Sequence, residues 1–374
     1  MDKRVAGVLG AFLGLQLLAL FLGPTGYVGT DGDAHLRYYE FLAQEKRHPV
    51  TADFKGMADR ELFQVPILSY LLNYPAWALA GSTGVRFMNL AWTALALLVF
   101  WRFVLKSRCK KNKWLWLALP LLAFLPHTVF YAQAVGPEAV LLLASALSTA
   151  FFLRFLDGKG NAGLNGLATG LPLLVKLNGL ALPAAALLYL GWRYWKDKKL
   201  PARVKPFLAG MLVVIAWFFA NNLYHFGRLI PFAMPYTLRP LANYPACLRE
   251  TLTSFWGGLP ATETHLPLLA VKGLLLLVLG LAFLRFFLSK NQQRGFPACV
   301  ALTSLGLYAF NALFASGSEW CTHSRYLIPL YPVLALVVVQ GLRQDKPKPR
   351  LLQAWMGLLF ISAVVEIALF AAFR

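Results

Sequence analysis

The chain has 374 residues, of which 58% are hydrophobic and 14% are charged. A soluble protein is typically about 45–50% apolar and about 25% charged, so this composition excludes a soluble enzyme, a disordered chain and a disulfide scaffold. The 36 Lys and Arg against 16 Asp and Glu give a net charge of +20. The basic residues cluster between apolar runs, a pattern typical of a membrane protein with many spans, and we predict no nucleic-acid partner.

Apolar runs predict the spans in chain order. The first, from Val5 to Gly23, follows the basic residues Lys3 and Arg4 and has no signal-peptide cleavage site, so it predicts a retained span with a cytoplasmic N-terminus. Further spans are predicted at 85–105, 114–131, 138–156, 206–226, 266–289, 297–315, 327–342 and 351–371. This arrangement puts the basic clusters at 106–113, 193–205 and 343–350 together on the cytoplasmic side, as the positive-inside rule requires.

The segment 163–192 is too short for two complete crossings, which need about 40 residues. It predicts two short helices that meet part-way across the membrane, with Lys176-Leu177-Asn178-Gly179 near the apex. Irregular backbone at that depth requires surrounding protein or a wet cavity, so a cavity in the outer half of the membrane is expected. The whole chain then reads as an all-α bundle of about 11 transmembrane helices.

A long external loop, 24–84, separates the first two spans. An amphipathic helix is expected at 34–46 and a second short apolar segment at 64–72, both in the membrane interface. Asp31 and Asp33 precede the first helix. Carboxylates there can accept a proton or hold a divalent cation, and they can equally cap the helix. The residues alone leave both readings open.

Other charged residues are predicted on the outer side. Glu138 begins a span, where the helix dipole alone would favour an acid. Lys176 lies at membrane depth, which makes it a candidate phosphate ligand or a lysine that reaches to the interface. Arginines that suggest an anionic partner, or simple pairing with nearby acids and lipid headgroups, are Arg239, Arg249 and Arg325.

The stretch Thr30-Asp31-Gly32-Asp33-Ala34-His35, with Arg37 and Tyr38 after it, resembles the first-loop signature of membrane glycosyltransferases of the GT-C class. Asp31 matches their catalytic Asp and His35 their histidine, whereas Gly32 replaces the usual Glu and Asp33 can compensate. Four further segments match in the same order along the chain: 65–70, 131–138, 174–179 and 325–332. The resemblance covers about residues 5–342 and is closest to the aminoarabinose transferase and protein O-mannosyltransferase group.

The resemblance implies a single GT-C-like membrane domain over 1–374, with a catalytic loop at 24–84 and a short helical hairpin at 163–192. Such relatives often carry a soluble C-terminal domain, which we do not expect here. It further implies transfer of a sugar from a polyprenyl-phosphate donor to a lipid, glycan or protein hydroxyl on the outer face of a prokaryotic plasma membrane, with inversion at the anomeric carbon.

The resemblance also implies residue roles. Asp31 would be the general base, with Asp33 as its substitute, and Glu138 would orient the acceptor or a metal. The donor phosphate would be held by Lys176, Arg239, Arg249 and Arg325, and the loop would be supported by His35, Arg37 and Tyr38. A divalent cation, Mg or Mn, would be held by Asp31 and Asp33 if one is needed.

Two other functions compete with the transferase. A transporter or flippase of a lipid-linked sugar would share the cavity and the cations but need no external base, and internal repeats that would favour it are not evident in the sequence. A non-catalytic scaffold in an envelope complex would give the outward acidic residues no function.

Overall fold

The computed structural model describes residues 2–22, 32–50, 53, 66–110, 113–229, 237–238, 266–288, 295–315, 324–342 and 349–372. Within these ranges the fold is helical, apart from one antiparallel pairing of the two-residue strands Thr237–Leu238 and Phe314–Ala315. The predicted class, an all-α bundle, is confirmed, and the number of 11 transmembrane helices stays a prediction.

The first three helices are α1 (Lys3–Leu22), α2 (Gly32–Glu45) and α3 (Leu68–Val99), and α3 continues through a π-helical turn, Phe100–Leu105, into α4 (Lys106–Cys109). Helix α3 is interrupted at Ala80 and Gly81, where the backbone is not helical and Gly81 has a φ of +56°. Asn73 and Asn89 are sixteen residues apart, and in a straight helix they would be separated by about 24 Å. The Asn73 and Asn89 side chains nevertheless form a hydrogen bond of 2.9 Å, so the chain folds back at this interruption.

The third predicted span, 114–131, is broken in the structure. A 3₁₀ turn, Lys113–Leu117, leads into α5 (Ala118–Phe124), and α6 (Pro126–Tyr131) follows after a single residue. That residue, Leu125, has a ψ of 132°, outside the helical region. A residue before proline avoids the helical conformation because of steric clash with the proline ring, and Pro126 itself suits the first position of the new helix. The single helix predicted at 114–131 is therefore two short helices.

The central helix is α7 (Glu138–Leu156), whose bounds agree with the predicted apolar run. Its sequence is apolar all round, and most of its residues are buried by neighbouring helices, as expected for a helix inside a bundle. After it come α8 (Ala162–Gly170), two 3₁₀ turns (Leu171–Leu174 and Leu177–Leu180), α9 (Ala181–Asp197) and α10 (Val204–Phe226). The predicted break in the segment 163–192 thus falls at Val175 and Lys176, between the two 3₁₀ turns.

Helices α8 and α10 pack with their backbones in contact. A Cβ atom on Gly166 would overlap the Phe207 carbonyl, and one on Gly210 would overlap the Gly163 carbonyl. Small residues that allow close backbone approach are typical of helix interfaces in membranes, where apolar burial drives helix association little. This contact holds the first helix of the hairpin against α10.

The carboxyl-terminal part contains α11 (Leu266–Leu288), α12 (Gly295–Leu313), a 3₁₀ segment (Ser324–Leu330), α13 (Tyr331–Leu342) and α14 (Pro349–Ala372). Helix α11 packs on α13, α12 packs on α9, and α14 closes the bundle against α1 and α5. Among the described residues, four helical stretches are long and apolar enough to cross a membrane: Lys3–Phe21, Leu68–Cys109, Glu138–Leu156 and Val204–Phe226. Shorter apolar helices accompany them.

Candidate functional site

The centre of the site is an ion pair between Glu138 and Lys176. Glu138 is the first residue of α7, where the helix dipole favours a negative charge. Lys176 has extended backbone between the two 3₁₀ turns of the hairpin. Its Nζ donates a hydrogen bond of 2.8 Å to Glu138 Oε1. The Glu138 side chain is 3% exposed and the Lys176 side chain 15%, so the pair is largely removed from solvent.

The late 3₁₀ segment contacts the same lysine. The Nζ of Lys176 lies 5.2 Å from the ring centroid of Tyr326, a distance at which an ammonium is attracted to an aromatic face. Two residues further along the hairpin, Asn178 Nδ2 donates a hydrogen bond of 2.9 Å to the Tyr326 carbonyl. Two segments separated by about 150 residues are therefore joined at two points, and Arg325 is the residue next to Tyr326.

Helix α2 meets the site through His35. The His35 ring is buried and its Nδ1 lies 2.6 Å from the Tyr70 hydroxyl. A Cβ atom on Gly136 would lie 3.5 Å from His35 Cδ2 and would overlap the Glu138 carboxylate. His35, Gly136 and Glu138 are therefore neighbours, and a side chain at 136 would require the Glu138 carboxylate to move. The amino-terminal turn of α2 begins one helical turn before His35.

A cluster of aromatic rings packs α2 against the start of α3. Tyr38 stacks on Tyr70 with centroids 3.8 Å apart and planes at 13°. Tyr39 meets Tyr70 edge-on at 5.3 Å and stacks on Trp77 at 5.9 Å. Burial raises the pKa of Tyr38 and of Tyr39 well above the usual range, so both phenols stay neutral. The cluster provides a rigid support for His35.

A chain of side-chain amides orients the loop before Glu138. Trp92 Nε1 donates to Asn73 Oδ1 at 2.9 Å, and Asn73 Nδ2 donates to Asn89 Oδ1 at 2.9 Å. Asn89 Nδ2 in turn donates to the carbonyls of Ala134 at 2.6 Å and Gly136 at 3.3 Å. Both asparagines are fully buried. Because Gly136 is two residues before Glu138, this series of amide hydrogen bonds fixes the position from which α7 begins.

A second buried network holds the other side of the same loop. Gln133 Nε2 donates to the Gln16 carbonyl at 2.6 Å and to Gln16 Oε1 at 2.7 Å. Gln16 Nε2 donates to the Val129 carbonyl at 3.0 Å, and Arg86 donates to Gln133 Oε1 at 3.3 Å. Side chains from α1 and α3 thus hold the loop between α6 and α7.

The end of the first loop contacts the end of α10. Arg47 binds both carboxylate oxygens of Asp53 at 2.7 and 2.8 Å, and this bond lowers the pKa of Asp53. His48 stacks on His225 with ring centroids 4.6 Å apart. Burial, and secondly the neighbouring His225, lower the pKa of His48 to about 4. The described part of this loop is therefore joined to α10 through a neutral histidine.

The predicted site residues divide into three groups. His35, Tyr38, Glu138 and Lys176 are buried or nearly so, and they lie in the region around Gly136, Tyr70 and Tyr326. Asp33 and Arg37 lie on the exposed face of α2. Asp31, Arg239 and Arg249 lie outside the described residues, as does the side chain of Arg325. The roles assigned to all these residues remain predictions.

Sequence reasoning missed the asparagine and glutamine networks. The available signal was the presence of uncharged polar residues, Gln16 and Asn89, within predicted apolar helices. Such residues need hydrogen-bond partners inside the membrane, so each indicates a contact with another segment. The partner itself cannot be read from the pattern.

Glu138 does not fit a divalent cation in this arrangement. The ammonium of Lys176 occupies the near side of its carboxylate and would repel a second positive charge. Among the described residues, no group of three or more His, Cys, Asp or Glu side chains could hold a metal ion. Asp31, one of the two residues predicted to hold a divalent cation, lies outside the described residues, so that site stays a prediction.

No protein-family profile matches this sequence, and no curated protein sequence does. Two crystal structures of ArnT from Cupriavidus metallidurans do match the fold. The structure bound to undecaprenyl phosphate has a TM-score of 0.56 at 14% identity and covers 95% of this chain and 62% of that chain. The apo structure has a TM-score of 0.53 at 16% identity, with 94% and 62% covered. The chain has a GT-C-like fold.

This confirms the predicted resemblance at the level of fold, and the four helices long and apolar enough to cross a membrane agree with an integral membrane protein. The chain spans 62% of the length of the ArnT structures. The cryo-EM structure of the arabinosyltransferase EmbB from Mycobacterium smegmatis also matches, with a TM-score of 0.46 at 14% identity over 100% of this chain and 42% of that chain. That value is too low to support further comparison. The ion pair of Glu138 and Lys176 thus lies in a GT-C-like bundle.

Proposed function

We propose that this protein transfers a sugar from a polyprenyl-phosphate donor to an acceptor hydroxyl on the outer face of a prokaryotic plasma membrane. The observation that carries the proposal is the convergence of α2, the start of α7, the hairpin and the late 3₁₀ segment around Lys176. One of the similar structures contains undecaprenyl phosphate, a lipid of the class proposed here as the carrier. The fold and the buried cation support the same kind of ligand.

Lys176 has the properties of a phosphate ligand. A lysine ammonium carries three N–H donors, and among the described residues Glu138 is its only hydrogen-bond partner. Two donors therefore remain for an anion, and the side chain keeps 15% of its surface exposed. Cation–phosphate hydrogen bonds are strong where water is excluded. In the proposed reaction Lys176 offsets the charge that develops on the leaving phosphate, assisted by Arg239, Arg249 and Arg325.

The acceptor is activated at the beginning of α2. The acceptor proton passes to the carboxylate of Asp31, or of Asp33 in its place, while the acceptor oxygen bonds to the anomeric carbon. The bond between that carbon and the phosphate oxygen breaks on the opposite face of the sugar, which inverts the configuration. The contact of His35 with Gly136 supports this assignment, because it holds the beginning of α2 near Glu138.

The test is a transfer assay in nanodiscs with a panel of radiolabelled polyprenyl-phosphate sugars. Wild type is compared with Asp31→Ala and Lys176→Ala, and Lys159→Ala serves as the control because Lys159 is an exposed lysine paired with Asp157. We expect label to reach an acceptor or water with wild type and the control, and neither Asp31→Ala nor Lys176→Ala to transfer it. Donor that binds to wild type but is never consumed would contradict the proposal and favour lipid transport.

A further inference from the structure

We infer that Glu138 is the counter-ion that weakens the hold of Lys176 on phosphate, so that the polyprenyl-phosphate product leaves after each transfer. The inference rests on the proposed function. It gives Glu138 a different task from the acceptor or metal contact predicted from the sequence, and it concerns the release of the product from the same site.

The pair differs from several other ion pairs of the described residues in its burial. The pairs Lys159 with Asp157 and Arg193 with Asp197, for example, have both side chains more than one-third exposed. In the pair of Glu138 and Lys176 both side chains are mostly buried. Removing two charges from water is costly, so a buried pair is weak evidence for stability and invites a functional explanation.

The two partners differ in accessibility. The Glu138 side chain is 3% exposed and the Lys176 side chain is 15% exposed, so the lysine is the partner that an anion can approach more readily. A bound phosphate would accept hydrogen bonds from the remaining N–H groups of Lys176. It would also be repelled by the negative charge of Glu138, which is hydrogen-bonded to the same ammonium. Attraction to the lysine is stronger because the lysine is nearer, but repulsion from the glutamate is substantial where the dielectric constant is low.

The repulsion acts more on the product than on the donor. The donor phosphate is a diester with one negative charge, whereas the released polyprenyl phosphate is a monoester with close to two at neutral pH, since its second pKa is about 6. A buried lysine without a counter-ion would therefore bind the product more tightly than the donor and stay blocked. Glu138 opposes that preference, and in the free enzyme it also compensates the lysine charge.

The decisive variant is Glu138→Gln, which keeps an oxygen acceptor for Lys176 and removes the negative charge. Binding of undecaprenyl phosphate is measured in nanodiscs for wild type, for this variant and for Asp157→Asn, the control that neutralises an exposed ion pair. We expect Glu138→Gln to bind about tenfold more tightly or better, Asp157→Asn to bind like wild type, and Glu138→Asp to stay within about threefold of wild type. Unchanged or weaker binding by a folded Glu138→Gln would overturn the inference.

A second measurement needs no variant. Wild type is offered undecaprenyl phosphate and its methyl ester, a diester of single charge. Similar affinities for the two are expected with the counter-ion in place, and a preference of about tenfold or more for the monoester contradicts it. If Glu138→Gln binds more tightly but wild type never transfers sugar, Glu138 still weakens phosphate binding by Lys176, but its role in product release fails together with the transferase proposal. If wild type transfers sugar and Glu138→Gln binds undecaprenyl phosphate as wild type does, the transferase proposal stands and the role of Glu138 as a counter-ion fails. If wild type binds neither lipid, both fail.

Discussion

Asn73 and Asn89, which lie on either side of the interruption in α3, are joined by one amide hydrogen bond of 2.9 Å. Asn89 also donates a hydrogen bond to the Gly136 carbonyl, and Gly136 lies against the Glu138 carboxylate. The interruption in α3 therefore helps to set the position of Glu138, a buried acid at the beginning of α7. This relationship leads to the first prediction.

Asn89→Leu should lower the transfer rate by about 10- to 100-fold, because a shift of the loop before α7 by about 1 Å misplaces Glu138 and Lys176. The effect should appear mainly in kcat. In a Glu138→Gln background the same change should add little, because Asn89 acts through the position of Glu138.

The control for this prediction is Asn165→Leu. Asn165 is also buried and donates one hydrogen bond of 2.9 Å, to the Lys159 carbonyl, at the beginning of α8. The Asn165→Leu change should lower the stability of the protein and leave kcat nearly unchanged. Equal losses of activity in the two variants would mean that Asn89 contributes only to stability.

Gly136→Ala should displace the ion pair directly. The added Cβ would overlap the Glu138 carboxylate and contact His35, and overpacking of this kind typically costs about 1–3 kcal/mol. We expect a large loss of transfer activity in a protein that still folds. Gly191→Ala is the matched control, since a Cβ there would meet no atom within 4 Å. Normal activity of Gly136→Ala would show that the site tolerates a moved Glu138.

Lys176→Met should abolish phosphate binding and also destabilise the protein. It removes the ammonium from a buried carboxylate, and breaking a buried pair in this way typically costs about 3–5 kcal/mol. The double variant Lys176→Met with Glu138→Gln should recover much of that stability without recovering activity. Thermal unfolding in detergent measures the first effect and the transfer assay the second. A double variant no more stable than Lys176→Met would contradict the pairing.

The stacked histidines predict a dependence of stability on pH. The pKa of His48 is lowered to about 4 from an unfolded value of about 6.5, because the ring is buried and faces His225. A group with a lowered pKa in the folded state contributes stability above its unfolded pKa, and that stability is lost as the pH falls towards the folded value. Wild type should therefore lose thermal stability between about pH 6.5 and pH 4.

His48→Gln removes this titration while keeping a polar side chain. We expect its melting temperature to fall less than that of wild type over the same pH range, and hydrogen exchange in residues 46–50 to become less sensitive to pH. Equal pH dependence of the two proteins would mean that other groups, such as the Arg47 and Asp53 pair, dominate the acid response.

Much of the helix pattern was predictable from local sequence. The apolar run from Glu138 to Leu156 has the same ends in the sequence and in the structure. The shortness of the segment 163–192 predicted a break, and the break falls at Lys176. The division of 114–131 was missed, although Pro126 was a visible signal for it.

Local sequence was enough to place several helices, such as Glu138–Leu156, because the length of an apolar run and the position of a proline act on neighbouring residues. It also indicated Glu138 and Lys176 separately, as charged residues in apolar surroundings. The pairing of these two residues, the place of Tyr326 beside Lys176 and the hydrogen bond between Asn73 and Asn89 became visible only in the folded protein. Each of those contacts joins segments distant in the chain. Their geometry follows from the packing of whole helices, in which a buried polar group must find its partner wherever the bundle brings one within hydrogen-bond distance.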